Sequence, residues 1–343
     1  MAAGYDIIGD VHGEATVLEA LLDRLGYIEI NGVYQHVDGD RQAIFVGDFV
    51  DRGQENLRSV EIVQGMVESG SAKAVLGNHE IGHIRYATQG ADGNYLWPHN
   101  HHSDRSLKEF FDEIPFGSDK HQEVIEWFKS LPVYLETEDF IVAHASHESK
   151  SVGHMWEYLD RDQVLCESAY ESFNLDRTFR SAAYNMLFGP DVKLPEDIKE
   201  KLEEHALETT GRLGYHASRR FYWWREGDDI SPAEMLGLDH LDLTEDQHMK
   251  LSEILDAHIE QDDGLLDHSK PIVFGHYALM TEPHLTSDDA VCLDFSGHLT
   301  AYRYNEGDSG QFFDDRLVSI PLDDKHALDH AADTGLDDVT LDG

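Results

Sequence analysis

Three polar clusters framed by glycine, each placed where a short apolar run ends, constrain this chain more than any other feature of its sequence. Tyr5-Asp6-Ile7-Ile8 runs into Gly9-Asp10-Val11-His12-Gly13, and Ala43-Ile44-Phe45-Val46 runs into Gly47-Asp48-Phe49-Val50-Asp51-Arg52-Gly53. A third run, Ala72–Leu76, leads to Gly77-Asn78-His79-Glu80. Helical patterns lie between them. Glu14–Leu25 sets Val17, Leu18, Leu21, Leu22 and Leu25 on one face and stops at Gly26, and Glu55–Glu68 is similarly amphipathic. Strand and helix alternating in this way predict an α/β sheet with parallel pairs. The loops leaving the carboxyl ends of such strands converge on one crevice, so clusters distant in sequence can meet there.

The pattern then changes. Gln122–Leu131 carries Val124, Ile125, Trp127, Phe128 and Leu131 at helical spacing, and Val133–Glu136 and Phe140–Ala143 are predicted to pair across Thr137-Glu138-Asp139. Residues 151–264 are mostly polar and helical in pattern, broken at Pro190, Pro195 and Pro232, and read as an insertion or cap. Strand signals return in Ile272–Phe274, Val291–Leu293, Leu299–Tyr304 and Leu317–Ile320, so the sheet is expected to close from both ends of the chain. Residues 323–343 read as a loosely held acidic tail. No internal repeat is found.

The clusters have the composition of a metal site. Carboxylate, imidazole and amide oxygen without thiolate suit Mn²⁺, Fe or Zn²⁺, and one carboxylate can bridge two cations about 3.5–4 Å apart. Two further strands also run into histidine, at His144 and at His276. Cys166 and Cys292 lie far apart and form no C-x-x-C, which excludes a disulfide framework and a thiolate zinc site. The formal charge of −42 and the pI near 4.6 disfavour nucleic-acid backbone and anionic lipid as partners. Hydrophobic residues still make up 41%, too many for a disordered acidic chain. No stretch approaches the roughly 18 apolar residues of a membrane span, and a soluble cytoplasmic protein is expected.

The D-x-H, G-D-x-x-D-R-G and G-N-H-E series resembles the calcineurin-like metallophosphoesterase superfamily, most closely its phosphoprotein-phosphatase branch and the related bacterial phosphatases. The resemblance covers about residues 5–146 and 270–322 and does not extend to the helical segment. It implies a mixed α/β fold, a four-layer αββα sandwich of two mixed β-sheets flanked by helices. Residues 1–150 and 265–322 would form one catalytic domain in two segments, carrying the helical insertion 151–264 and the tail. Position by position, it implies that Asp10, His12 and Asp48 hold a first divalent metal. Asp48 would bridge to a second, completed by Asn78, His144 and His276. Manganese is expected first, with iron or zinc as alternatives. A water held by two dications is acidified and can attack phosphorus as hydroxide.

His79 cannot easily share a metal with its neighbour Asn78, because adjacent side chains diverge; it fits the general acid that protonates the leaving alkoxide. Asp51 would orient its imidazole. Arg52 offers a planar fork for two phosphate oxygens. The family places a further phosphate-binding arginine between the last two histidines. Arg219, Arg220 and Arg225 are candidates, and Arg220 is the choice. Gly275-His276-Tyr277-Ala278 lacks the second histidine of G-H-x-H found in nuclease and diesterase relatives, which favours monoester chemistry. The expected activity is hydrolysis of phosphate monoesters, either phosphoprotein (Ser, Thr or Tyr phosphate) or small phosphate esters. The alternative is a dinucleoside polyphosphate hydrolase. Trp223 and Trp224 read as packing, Glu80 as a loop-fixing acceptor, and His99, His101 and His102 as a faint third metal signal against solvated histidines.

Overall fold

A computed structural model describes residues 4–210, 218–225, 230–261 and 270–322, and the acidic tail expected from Asp323 lies outside them. Two mixed β-sheets stack face to face. The larger runs in the order Asp294–Phe295, His298–Asn305, Gly4–Ile8, Arg41–Phe45, Ala72–Ala74, with Leu317–Pro321 also paired to His298–Asn305. Gly4–Ile8, Arg41–Phe45 and Ala72–Ala74 are parallel, as the β-α alternation predicts, and His298–Asn305 joins antiparallel to Gly4–Ile8. The smaller sheet runs Ala290–Cys292, Ile272–Phe274, Ile141–Ala143, Tyr134–Glu136, parallel except for its last pair.

The period of two along each strand sorts its side chains between two cores. Ile7, Ile44, Val46 and Val75 from the larger sheet meet Phe140, Val142, Val273 and Val291 from the smaller one in a buried cluster between the sheets. Their neighbours Ile8, Ala43, Phe45, Ile141, Ala143, Ile272 and Phe274 point outward into a second cluster shared with helices. Helices Ala15–Leu25 and Asn56–Ser69 contribute Leu18, Leu21, Leu22, Val60, Val63 and Met66 to it. Strands buried on both faces read as short unbroken apolar runs, which is why they were visible in the sequence.

At the end of the larger sheet away from the loops, Asp6 is fully buried and takes Arg41 Nε at 3.1 Å, Arg303 Nε at 2.8 Å and the Tyr27 hydroxyl at 3.1 Å. Each polar group finds a partner, so this charged cluster clamps three adjacent strands without leaving an orphan.

Between the two halves of the smaller sheet lie helices Ser149–Met155, Glu167–Leu175, Arg177–Phe188, Glu196–Thr210, Pro232–Met235 and Glu245–Gln261 and a two-stranded ribbon, Asp191–Lys193 with Ser218–Arg220. Core side chains of this segment, among them Phe179, Met186 and Leu187 and, just after the ribbon, Phe221, Trp223 and Trp224, belong to the same buried cluster as Ile141 and Phe274. The helices are therefore packed onto the outer face of the smaller sheet. Among the described residues no helix is long and apolar enough to cross a membrane.

The helices His101–Ser106 and Lys108–Glu113 and the ribbon within the helical segment were not anticipated, nor were two elements close in the chain to the first and third clusters. Tyr27–Ile30 and Val33–His36 form a small hairpin. Asn78–Ala87 is a helix whose first turn is the Asn-His-Glu of the third cluster; its face is masked in the sequence because His83 and Arg85 are buried along with Ile81 and Ile84.

With −42 formal charges, self-repulsion opposes the compact state, and added salt screens it as the Debye length falls from about 10 Å at 0.1 M to about 3 Å at 1 M. The thermal midpoint is expected to rise by several degrees between those KCl concentrations. A scanning-calorimetry midpoint that stays flat or falls contradicts this reading.

Candidate metal centre

Asp48 is the point at which the loops meet. Its Oδ2 lies 3.3 Å from His144 Nε2 and 3.8 Å from the Nε2 atoms of both His12 and His79. Its Oδ1 accepts the His79 backbone N–H at 3.0 Å, and its carbonyl accepts the N–H groups of Val11 and His12 at 3.0 and 2.9 Å. Asn78 Oδ1 lies 2.8 Å from both His144 Nε2 and His276 Nδ1. Asp10 Oδ2 accepts the His276 backbone N–H at 3.0 Å and stands 3.8 Å from His12 Nε2. All six residues expected as ligands thus converge on one buried volume, supplied by five loops.

Two sets of donors can be drawn from it, His12 with Asp48 and His79, and Asp48 with His144 and His276, each within 4.8 Å of one another. Geometry alone sets His79 as close to Asp48 as His12 is. The other ring nitrogen separates them. His12 Nδ1 faces the Val50 carbonyl at 3.2 Å, His144 Nδ1 the Val46 carbonyl at 2.9 Å and His276 Nε2 the Phe188 carbonyl at 2.9 Å. For His12 and His144 the carbonyl fixes the ring proton on the outer nitrogen and turns the lone pair of the other toward the centre, the usual outer partner of a metal-ligating histidine, whereas His276 Nε2 also has Arg220 Nη1 at 2.8 Å. His79 Nδ1 instead meets the Asp51 carboxylate at 2.8 Å.

The donor chemistry also fits divalent cations. Asp10 Oδ1 is buried with no hydrogen-bond partner among the described residues, a placement that a cation would satisfy. Burial, then the neighbouring Asp294 and Asp48, holds the Asp10 carboxyl well above the usual carboxylate range. Burial opposes charge on His144, yet the Asp48 carboxylate pushes its imidazole up to about 10. His276 is held well below its ordinary value by burial, Arg220 and His144.

Five residues of the site, His12, Asp48, Asp51, Arg52 and His276, have left-handed backbone with φ between 46° and 74°. Each such non-glycine position costs roughly 1–3 kcal/mol and persists only where its surroundings over-determine it. Glu80 supplies much of that determination. Its carboxylate accepts the N–H groups of Asp48 and Phe49 at 2.8 Å and of Gly77 at 3.0 Å, the loop-fixing role expected for it, while burial and Asp48 push it up to about 7. Two glycines are sterically required. A Cβ on Gly77 would sit 2.2 Å from Asp48 Oδ1, and one on Gly275 would sit 1.8 Å from Asp10 Oδ1.

The His79 and Asp51 side chains are 2% and 0% exposed. Burial disfavours the imidazolium, but Asp48 and then Asp51 outweigh it, so His79 is raised above its ordinary value. Asp51 is drawn down to about 2: burial opposes this, and His83 and His79 override it. His79 Nε2 has no hydrogen-bond partner among the described residues and faces the Asp48 side of the site. Arg52 lies near enough for its charge to act on His79. Of the three later arginines, Arg220 Nη1 lies 2.8 Å from His276 Nε2. Arg219 is engaged by the Leu236 carbonyl, and Arg225 covers the Tyr222 ring and donates to the Glu234 carbonyl.

Sequence reasoning missed His83, whose Nε2 lies 3.0 and 3.1 Å from the two Asp51 oxygens. The signal was the spacing of four from His79, legible only once residues 78–87 are known to be helical. Trp223 and Trp224 are buried against Phe274, as packing predicts. His99 stacks between Tyr86 and Tyr95, and no donor set among the described residues joins it to His101 or His102. Tyr277 is buried beside His276, and His298 lies 3.6 Å from Glu282.

Residues 5–171 match the family described as calcineurin-like phosphoesterase. A bis(5'-nucleosyl)-tetraphosphatase (asymmetrical) of Oceanobacillus iheyensis is 34% identical over 152 residues, 43% of this chain and 58% of that protein. The chain thus spans a little under three fifths of that relative's length. Among solved structures, a cold-active protein-tyrosine phosphatase of a Shewanella species is 17% identical with a TM-score of 0.42, covering 88% of this chain and 76% of that one. A protein serine/threonine phosphatase from Saccharomyces cerevisiae is 14% identical with a TM-score of 0.45, covering 93% and 79%.

The close approach at Gly275 makes a specific demand. Gly275→Ala is expected to displace Asp10 and lower the manganese retained per chain after dialysis, whereas Gly297→Ala, whose Cβ would meet nothing within 4 Å, leaves it unchanged. Full metal retention by Gly275→Ala contradicts the assignment of Asp10 to the centre.

Proposed function

We propose, from the premise that the chain carries a calcineurin-like metallophosphoesterase domain, that it is a divalent-metal-dependent phosphoester hydrolase whose preferred substrates are phosphate monoesters. The observation that carries this reading is the buried Asp51–His79 pair, with His79 Nε2 turned toward the carboxylate at the centre of the site. A positioned proton donor serves an alkoxide leaving group, as from a phosphorylated side chain or small ester. It adds less for a phosphate leaving group, which departs readily as an anion.

In this reading Asp10, His12 and Asp48 hold one cation and Asp48, Asn78, His144 and His276 the other, manganese first and iron or zinc as alternatives. When bound, two such cations acidify a water and polarise the phosphoryl oxygens. The residues of the chain do the remaining work. Arg52 and Arg220 orient the phosphate through planar donors that lysine could not imitate. Asp51 holds the Nδ1–H of His79, so that the Nε2 proton is presented to the leaving oxygen and transferred to it as the bond to phosphorus breaks. Burial keeps competing water from that proton.

A second reading has a specific observation in its favour, since the Oceanobacillus relative, 34% identical over 152 residues, is named for cleavage of a dinucleoside tetraphosphate. Its anhydride chain could also lie along two cations and an arginine. The test is a panel of p-nitrophenyl phosphate, its bis ester, phosphopeptides and diadenosine tetraphosphate, each with manganese, iron and zinc. A higher kcat/KM for monoesters than for the bis ester is expected. Much faster cleavage of diadenosine tetraphosphate than of any monoester makes the second reading correct.

The charge on Asp51 also sets a pH dependence. The competent form of His79 is the imidazolium, which Asp48 and Asp51 together sustain above its ordinary pKa against burial. In Asp51→Asn, therefore, the alkaline limb of kcat/KM for an alkyl monoester should move to lower pH, with a loss of roughly 10²–10⁴-fold on that limb. An unmoved limb contradicts the pairing.

A further inference from the structure

We infer that His83 is a positioning residue for the proton donor: it holds the Asp51 carboxylate in the orientation in which that carboxylate holds His79. This rests on the general-acid reading of His79 and extends it by a residue that the sequence motifs do not contain.

The geometry is a chain of three side chains on two elements. His79 and His83 leave the helix Asn78–Ala87 one turn apart, and Asp51 from the neighbouring loop lies between them. His79 Nδ1 lies 2.8 Å from Asp51 Oδ2, and His83 Nε2 straddles both carboxylate oxygens at 3.0 and 3.1 Å. The His83 and Asp51 side chains are both 0% exposed, so no solvent can replace the His83 donor at the carboxylate. A buried carboxylate that loses a donor is left with desolvated, unmatched charge and is free to turn.

The surroundings of His83 fix which nitrogen carries its proton. Nδ1 has no hydrogen-bond partner among the described residues, and the ring lies against Phe110 at 4.0 Å, Phe111 at 5.6 Å and Phe128 at 6.3 Å between centroids. A hydrogen on Nε2 satisfies the Asp51 carboxylate, while Nδ1 faces the aromatic pocket. His83 then acts as a hydrogen-bond donor to the Asp51 carboxylate. It orients Asp51 without discharging it, its own proton stays in place through turnover, and only the His79 Nε2 proton moves. Asp51 is also fixed from its backbone, where its N–H donates to Asn56 Oδ1 at 2.7 Å, so the carboxylate torsion is the freedom left for His83 to remove.

The competing account is that His83 merely fills an aromatic pocket. His83→Phe keeps the ring and deletes the donor, His83→Leu deletes the donor in a smaller side chain, and His83→Gln keeps a donor near Nε2. Each is compared with wild type and His79→Ala on p-nitrophenyl phosphate, which needs no proton at its leaving group, and on β-glycerophosphate, which does. Metal content and thermal midpoint are measured on the same preparations. We expect His83→Phe to retain both metals and its KM and to lose roughly tenfold or more in kcat on β-glycerophosphate, the scale typical of an outer hydrogen-bond partner. The loss on p-nitrophenyl phosphate should be several-fold smaller, and His83→Gln should recover most of it. Wild-type kcat in His83→Phe, or equal losses on both substrates, overturns the inference. So does failure of both donor-less variants to fold, since His83 is then structural. If His79→Ala itself shows no dependence on the leaving group, the general-acid reading fails first; if it does and His83→Phe does not, only the role of His83 falls.

Discussion

The Asp48 carboxylate and its backbone are the constraint on which the site depends. One oxygen accepts a backbone N–H from the third loop while the other faces three imidazoles, and the peptide carbonyl accepts two N–H groups from the first loop. A residue so engaged must adopt the left-handed conformation seen at φ 54°. The strain is local and the bonds that hold it are long-range, so the crevice cannot form until at least three strand ends are in register. Glu80 makes the arrangement rigid by gathering N–H groups from both sides of the join.

The two-sheet architecture explains why such strain is tolerated. Strands with Ile7, Ile44 and Val46 on one face and Ile8, Ala43 and Phe45 on the other are buried on both sides, so their ends are held by two cores at once. The helical segment adds support from a third direction. The Met186 carbonyl takes the N–H groups of Ala145 and Ser146, Trp223 donates to the Ala145 carbonyl, and the Phe188 carbonyl faces His276. These contacts reach the residues directly after His144 and the ring of His276. The segment therefore bears on the aim of two expected ligands as well as on whatever lies over the crevice.

The parallel strand pairs and the meeting of the polar clusters at strand ends could be read from the sequence because both depend on short-range grammar: an apolar run of four or five residues, a glycine, then a polar side chain. The parallel pairs of Gly4–Ile8 with Arg41–Phe45 and of Arg41–Phe45 with Ala72–Ala74 follow from that grammar. What escaped depends on burial of polar residues. The helix Asn78–Ala87 was unseen because His83 and Arg85 interrupt its apolar stripe, although both are buried. Missing the helix hid His83, since a spacing of four carries meaning only on a helix. The hairpin at Tyr27–His36 does carry a local signal, the Asn31-Gly32 turn with φ of 54° and 85° following the alternation Ile28-Glu29-Ile30, although Ile28 and Ile30 themselves are 46% and 43% exposed. Arg220 could be chosen only from among three neighbours, because its direction is set by a ribbon pairing with Asp191–Lys193 that no local pattern announces.

Electrostatics divides this molecule by depth. The chain carries a formal charge of −42, a field that opposes the approach of any phosphate dianion at low ionic strength. Inside, Arg52 and Arg220 sit beside a carboxylate and imidazole set that suits two dications, so attraction is confined to distances shorter than a Debye length. Capture of an anionic substrate is then governed by short-range geometry rather than by steering from afar. A site that works this way gains discrimination, because a ligand must already have entered the crevice before any favourable charge acts on it. The same screening that relieves repulsion across the surface lowers the barrier to entry while leaving the buried contacts largely intact.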